Sequence, residues 1–96
     1  MADVLGEEQI EAALADLGNG WSRDGEKIVK EFELKDFVGS VDFVNQIVPL
    51  AEGMNHHPDL EISWNKVKVS ITNHSAGGLT EADFELAGKI EGVEGG

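Results

Sequence analysis

The stretch LEISWNKVKVSI, residues 60–71, alternates apolar and polar side chains in two successive runs. The apolar positions are Leu60, Ile62 and Trp64 in the first run and Val67, Val69 and Ile71 in the second. A period of two with one apolar face is typical of a β-strand that is buried on one side. Asn65 and Lys66 separate the runs, which predicts a two-residue loop and an antiparallel hairpin with Trp64 in the core.

The preceding segment, DFVGSVDFVNQIVPLAEGM at residues 36–54, has the spacing of a long helix with two apolar stripes. One stripe comprises Phe37, Val41, Val44, Val48 and Ala51, and the other comprises Phe43, Ile47, Leu50 and Met54. So wide an apolar face predicts burial on two sides, against the sheet and against either a second subunit or the other helices. Pro49 lacks the N–H that would bond to the carbonyl of Asn45, which predicts a kink or break at residues 45–49.

Shorter patterns complete the order of elements. Residues 7–17 have helical spacing, and Asp24-Gly25 is a hairpin turn signal ahead of a strand at residues 27–34. Thr80 begins the last helix, and Asp83 three residues later is typical of a capping box. The order α-β-β-α-β-β-α predicts a single domain over residues 1–96, an α+β two-layer sandwich with three helices on one face of a four-stranded antiparallel sheet.

Composition narrows the class of protein. The 96 residues are 41% hydrophobic and 27% charged, as in a small globular domain, and the formal charge of −12 argues against binding to nucleic acid. The absence of cysteine excludes a disulfide scaffold, a thiolate zinc site and a cysteine nucleophile. There is no apolar run of about 18 residues and no basic, apolar leader, so we expect neither membrane insertion nor secretion and a cytoplasmic location.

All three histidines, His56, His57 and His74, lie near the open end of the predicted hairpin. A loop at residues 65–66 sets a register that places His57 opposite His74, with Cβ atoms about 4.5–5.5 Å apart. Pro58 forces His57 into extended backbone, so His56 is expected at the end of the long helix. A slip of one residue would place the two opposed rings on different faces.

Three imidazoles at one place suit a site that removes one proton from a substrate and supplies another, because imidazole titrates near neutral pH. Three histidines could instead bind zinc with a position open for water, although adjacent histidines tend to diverge. Plain surface histidines are the remaining interpretation. Trp21, close to a turn, could stack on a planar ligand.

The chain also resembles the pterin-4a-carbinolamine dehydratases. The main resemblance, at residues 51–90, is carried by Glu52, His56-His57-Pro58, Trp64-Asn65-Lys66-Val67, Thr72, His74, Gly77-Gly78-Leu79-Thr80 and Asp83. Further matches upstream are Trp21, the pattern Phe32-x-Leu34-x-Asp36-Phe37, and Phe43-Val44. A His-His-Pro followed by a spaced Thr-x-His is a specific signature of that family.

The resemblance implies the same fold, with dimers or tetramers formed through the helix at residues 36–54, the sheet edges, or both. It implies a dehydratase that converts 4a-hydroxytetrahydropterin to quinonoid dihydropterin, in tetrahydrobiopterin recycling, without a metal or organic cofactor. The implied catalytic residues are His56, His57 and His74, with the first two exchanging protons and the third orienting the substrate. The implied substrate-binding residues are Glu52, Asn55, Asp83 and Trp21.

Asn55 departs from the family pattern, because relatives often carry Asp there. The loss of that carboxylate would remove electrostatic support for a positively charged histidine. Some relatives act by binding protein partners, so a protein-interaction or dimerisation module is the alternative to an enzyme. A zinc-dependent hydrolase is a third possibility.

Overall fold

A computed structural model describes residues 3–93 and has the predicted order of elements in two layers. The helices are α1 (Glu7–Leu17), α2 (Phe37–Met54) and α3 (Glu81–Glu91), and the strands are β1 (Ser22–Asp24), β2 (Lys27–Glu33), β3 (Asp59–Ser63) and β4 (Lys66–Ile71). The strands form one antiparallel sheet in the order β1-β2-β4-β3. The predicted α+β fold class is confirmed.

The core lies on one face of this sheet, where the two central strands β2 and β4 present their apolar residues. Their register opposes Ile28 with Ile71 and Phe32 with Val67, and all four side chains are buried. The ring of Phe43 in α2 packs on Phe32 with 4.7 Å between ring centroids. Burial of these apolar side chains is the main force that holds α2 on the sheet.

The second hairpin pairs two residues away from the predicted register. Ser63 pairs with Lys66, so the loop is Trp64-Asn65 and the predicted loop at residues 65–66 is wrong. An even shift leaves the residues that remain paired on their predicted faces. With this register His57 does not lie opposite His74, so that prediction is also wrong.

Hydrogen bonds to the start of α2 and to the link between β2 and α2 fix this loop. The carbonyl of Trp64 accepts a bond from Ser40 Oγ at 2.7 Å, and the carbonyl of Asn65 accepts one from the Leu34 N–H at 2.6 Å. Trp64 adopts a left-handed φ of 53°, which is costly for a bulky residue without such support. Its side chain is 69% exposed, so the prediction of a core position for Trp64 is wrong.

Helix α2 runs without interruption through Pro49, so the predicted break at residues 45–49 is wrong. Pro49 and Asn45 both lie on the exposed side of the helix. Water can therefore bond to the Asn45 carbonyl that proline leaves without its helical donor.

The two apolar stripes of α2 differ in burial: Phe43, Ile47, Leu50 and Met54 are all buried or half-buried, but the other stripe is not covered throughout. Phe43 and Ile47 are buried, whereas Phe37 and Val48 of the other stripe are exposed and the adjacent Val38 is 66% exposed. Helices α1 and α3 do not cover these exposed positions. The prediction that the other helices cover the whole apolar face of α2 is therefore wrong at Phe37, Val38 and Val48. Coverage by a second subunit stays a prediction.

The first hairpin turns at Gly25-Glu26, one residue later than predicted, because Asp24 pairs with Lys27. Gly25 supplies the positive φ, at 63°. A hairpin of this kind needs left-handed backbone at its first central residue, which glycine adopts without steric cost.

An ion pair ties the end of α3 to the first hairpin. Lys30 Nζ lies 2.6 Å from Glu91 Oε2 and 4.4 Å from the centroid of the Phe32 ring. Trp21 Nε1 donates to the same carboxylate oxygen at 3.0 Å. Lys30 can therefore occupy the apolar face of β2, because its charge is paired and its stem packs beside an aromatic ring.

Candidate functional site

Three connecting segments meet at one end of the sheet. β4 ends at Ile71 opposite Ile28 in the second position of β2, and Ser70 of β4 pairs with Asp59, the first residue of β3. The first hairpin turn, the link from α2 to β3 and the segment after β4 are thereby brought to the same edge. All three histidines lie on the last two of these segments.

Helix α2 is followed by Asn55, whose left-handed backbone sets the direction of His56. Asn55 has φ 51° and ψ 42°, its N–H donates to the Glu52 carbonyl at 3.2 Å, and the His56 N–H donates to the Ala51 carbonyl at 3.0 Å. These two bonds form a Schellman motif, which ends the helix and fixes the direction of the next residue. Asparagine tolerates left-handed backbone better than most residues. Asn55 therefore has a role in the backbone conformation at the end of α2.

His56 faces a fully buried carboxylate. Its Nε2 lies 2.5 Å from Asp83 Oδ1, and Asp83 is 0% exposed. The other carboxylate oxygen, Oδ2, accepts a 2.7 Å bond from the Thr80 N–H at the start of α3. The predicted capping role of Asp83 is thus confirmed, and the same side chain also holds a histidine. A buried carboxylate requires such partners, because desolvation without them is expensive.

His57 has a carboxylate of its own on the surface. Its Nε2 lies 2.5 Å from Glu52 Oε2, and both side chains are more than half exposed. Glu52 is in the last turn of α2, and the reversal at Asn55 brings His57 back beside it. The site therefore contains two histidine–carboxylate pairs, one buried and one open to solvent.

Both pairs leave the same ring nitrogen available. A carboxylate on Nε2 favours the neutral tautomer with its proton on that nitrogen, so Nδ1 keeps its lone pair. Within residues 3–93, neither His56 nor His57 has a hydrogen-bond partner on Nδ1. Each ring can accept a proton there and return it, while its carboxylate stabilises the charged ring.

His74 lies on a different segment from these pairs, in a tight turn after β4. The Asn73 side-chain Oδ1 accepts from the Ala76 N–H at 2.9 Å, and Gly77 turns the backbone with φ 81°. His74 is exposed and lines a cleft of about 280 Å³ between this turn and the first hairpin. His56 and His57 do not line that cleft.

The remaining predicted residues are placed as follows. Trp21 is only 7% exposed, its Nε1–H is bonded to Glu91, and it does not line the cleft beside His74. Within residues 3–93, no three or more His, Cys, Asp and Glu side chains are arranged to hold a metal ion. No helix in that range is both long enough and apolar enough to cross a membrane.

Sequence reasoning missed the residues of the first hairpin turn that face His74 across the cleft, Asp24, Glu26 and Lys27. The signal that could have found them was the antiparallel order of the strands. It places the turn between β1 and β2 at the same end of the sheet as the segments before β3 and after β4.

Comparison with known proteins identifies one family. The family model described as pterin 4 alpha carbinolamine dehydratase matches residues 3–93. A relative from Trichormus variabilis is 45% identical and covers 97% of this chain and 99% of its own length. One from Sulfolobus acidocaldarius is 44% identical, with 94% and 98% covered. Both are named as candidate pterin-4-alpha-carbinolamine dehydratases.

Two solved structures have the same fold. A protein from Brucella melitensis described as a transcriptional coactivator/pterin dehydratase is 34% identical, with a TM-score of 0.88 and coverage of 94% of this chain and 97% of that one. A pterin dehydratase-like protein described as a RuBisCO assembly factor in the alpha-carboxysome has a TM-score of 0.65 at 18% identity, covering 79% and 90%. The second likeness concerns the fold alone.

The left-handed backbone at Asn55 generates a prediction about stability. Asn55→Ala should lower the free energy of unfolding by about 1 kcal/mol. Alanine is disfavoured in left-handed backbone, because it has a Cβ but lacks the polar side chain that lets asparagine adopt this conformation. Asn55→Gly should retain wild-type stability to within about 0.5 kcal/mol, because glycine adopts left-handed backbone freely. Urea denaturation followed by circular dichroism measures both variants.

Asn19, which also has a positive φ of 55° but lies after α1, is the matched control. Asn19→Ala should show a similar loss of stability without disturbing the ring resonances of His56 and His57 in NMR spectra. Equal stability of Asn55→Ala and Asn55→Gly would contradict the role assigned to Asn55.

Proposed function

The chain belongs to the pterin 4 alpha carbinolamine dehydratase family, and on that premise we propose that it removes water from 4a-hydroxytetrahydropterin to give quinonoid dihydropterin. The observation that carries the proposal is the pair of adjacent histidines at the exit of α2, each with its own carboxylate on Nε2. Such a pair supplies the two proton transfers that a dehydration needs.

The proposed reaction breaks the bond between C4a and its hydroxyl oxygen. One imidazolium donates a proton to that hydroxyl, which leaves as water, and one neutral imidazole accepts the proton from N5. The electrons of the N5–H bond form the N5–C4a double bond. No net oxidation or reduction occurs, so proton transfers by the side chains account for the whole change.

We assign the two exchanges to His56 and His57. Because the Asp83 and Glu52 carboxylates bind Nε2, the reactive Nδ1 of each ring points away from its carboxylate. The same carboxylates stabilise the imidazolium that forms. His74, on the opposite segment, orients the substrate. Because the two rings are separate groups, one can act as the acid while the other acts as the base.

In a cell this reaction would be one step of tetrahydrobiopterin recycling: it would act on the ring that a hydroxylase leaves with a 4a-hydroxyl, and a separate reductase would return the quinonoid dihydropterin to the tetrahydro form. Asn55 contributes through the backbone, and we do not assign it a contact with the substrate. Trp21 is too deeply buried in this chain to offer a ring face for stacking.

We further propose that the protein acts as a homo-oligomer. Three apolar side chains of α2, at positions 37, 38 and 48, are at least half exposed. Strand β3 lies at a sheet edge, with Ile62 and the neighbouring Trp64 also exposed. Contact through one or both of these surfaces would remove that apolar area from water. The same surfaces would serve a protein-interaction role, which is the alternative function.

The histidine assignments predict the effect of removing each ring. His57→Ala should lower kcat/KM by about 10²- to 10⁴-fold, because a positioned acid or base typically contributes that much. His74→Ala should act mainly on KM. Stopped-flow absorbance with a synthetic 4a-hydroxytetrahydropterin, corrected for the uncatalysed rate, measures both, and Glu11→Gln on the exposed surface of α1 is the control.

Wild-type turnover no faster than that in buffer would rule out the enzyme. Wild-type activity that persists unchanged in both histidine variants would rule out the assigned site instead. His57 is the preferred target because its side chain is 55% exposed and its loss leaves no buried group without a partner.

The exposed stripe predicts an assembly that can be disrupted selectively. The wild type should have at least twice the monomer mass by light scattering, and Val48→Glu should reduce it because a carboxylate would be desolvated in the interface. Val4→Glu is the matched control, because Val4 and Val48 are each 51% exposed and Val4 is not on α2. A monomeric wild type at micromolar concentration would contradict the proposal.

A further inference from the structure

Three consecutive buried residues, Gly78, Leu79 and Thr80, connect the turn that carries His74 to the start of α3, and we call them the link. At its first residue the link closes the turn. Gly78 forms an isolated antiparallel bridge with Asn73, and its N–H donates to the Asn73 carbonyl at 3.3 Å. The position of the link therefore determines where the His74 turn lies relative to α3.

The last residue of the link holds His56 through one intermediate. The Thr80 N–H donates to Asp83 Oδ2 at 2.7 Å, and Asp83 Oδ1 lies 2.5 Å from His56 Nε2. Thr80 and Asp83 are both buried, so in a close-packed interior neither can shift without the other. His57 is held differently, because its carboxylate partner is Glu52 in α2.

A short segment ahead of α1, which we call the strap, packs on the link and consists of Val4, Leu5 and Gly6. The Leu5 N–H donates to the Leu79 carbonyl at 2.8 Å, and the Leu5 side chain packs against the hydrophobic core. Gly6 is the N-cap of α1, so the strap is continuous with that helix. The strap therefore ties the middle of the link to α1.

Gly78 leaves the space that Val4 of the strap occupies. A Cβ on Gly78 would lie 3.0 Å from Val4 Cγ1 and 3.7 Å from Val4 Cγ2. Non-bonded carbon atoms are most stable at about 3.5–4.0 Å, so an alanine here would push the strap outward. Gly78 does not have a positive φ, so its backbone conformation does not require glycine. The contact with Val4 is the feature that does.

We infer that Gly78 is a positioning residue of the candidate site. By admitting Val4, it seats the strap on the link and so sets the relative positions of His56 and His74. A displaced strap moves these two rings, whereas His57 keeps its place beside α2. The effect on turnover rests on the proposed function, but the effect on the rings does not.

NMR of the ring nitrogens in ¹⁵N-histidine-labelled protein measures the positioning role. Gly78→Ala should shift the resonances of His56 and His74 and leave those of His57 unchanged. General loosening of the fold would not make that distinction. Val4→Ala removes both γ-carbons and leaves the Val4 Cβ 4.0 Å from the new methyl group, an ordinary contact. The double variant Gly78→Ala with Val4→Ala should therefore restore the wild-type resonances.

Gly88→Ala on α3 is the matched control, because a Cβ at Gly88 would meet no atom of residues 3–93 within 4 Å. It should move none of the three rings. Leu5→Pro tests the strap without altering Gly78, because proline lacks the N–H that bonds to Leu79. It should shift the same two rings, and Leu5→Ala, which keeps that N–H, should shift them less. Circular dichroism establishes that each variant is folded.

Kinetics supply a second readout with the synthetic carbinolamine. Gly78→Ala should lower kcat about threefold to tenfold, because a misplacement of 1 Å can cost about 10²-fold and the strap needs to yield by less. The double variant with Val4→Ala should recover kcat to within about twofold of the wild type, and Gly88→Ala should leave it unchanged.

Unmoved rings of His56 and His74 in Gly78→Ala would overturn the inference, as would equal shifts at all three rings or a double variant no closer to the wild type than the single one. Failure of the proposed function has a different signature. A wild type that dehydrates the carbinolamine while Gly78→Ala leaves the rings unmoved defeats the positioning role alone. A wild type that is inactive, but whose rings respond as expected, supports the positioning role and defeats the proposed enzyme.

Discussion

The left-handed turn of the backbone at Asn55 is the constraint on which the candidate site depends. It ends α2 at Met54 and sets the direction of the next two residues. One of them, His56, reaches inward to Asp83, and the other, His57, returns to Glu52. If the helix continued by one more turn, neither pairing could form, because the histidines would follow the helical spiral.

Asp83 connects the fold to this site. Its carboxylate caps α3 through one oxygen and holds His56 through the other, with no exposure to solvent. The link joins two helices that are separated by a whole hairpin in sequence. A buried charge with incomplete partners is strongly destabilising, so the orientation of His56 and the position of the α3 start are coupled. Stability and the geometry of the candidate site thus depend on the same hydrogen bonds.

Local periodicity predicted the elements of this fold well, because helices and strands bury faces whose repeat is visible in sequence. It failed for the register of the second hairpin, since Ser40 and Leu34, distant in sequence, decide which residues occupy the loop. The break at Pro49 was predicted from a steric rule, but solvent on the exposed side of α2 relieves the cost. The histidines were identified from their clustering and from a family resemblance. Their carboxylate partners in space depend on tertiary packing, which spacing alone does not reveal.

The central claim is that His56 and His57 both hold their proton on Nε2 and expose Nδ1 to the substrate. NMR of ¹⁵N-histidine-labelled protein, recorded where the imidazoles are neutral, measures the tautomer of each ring directly. His74, which has no hydrogen-bond partner among residues 3–93, serves as the internal reference. The account predicts that His56 and His57 are fixed as the Nε2–H form and that added 7,8-dihydropterin shifts their Nδ1 resonances. Tautomer mixtures like that of His74, with no response to the pterin, would contradict it.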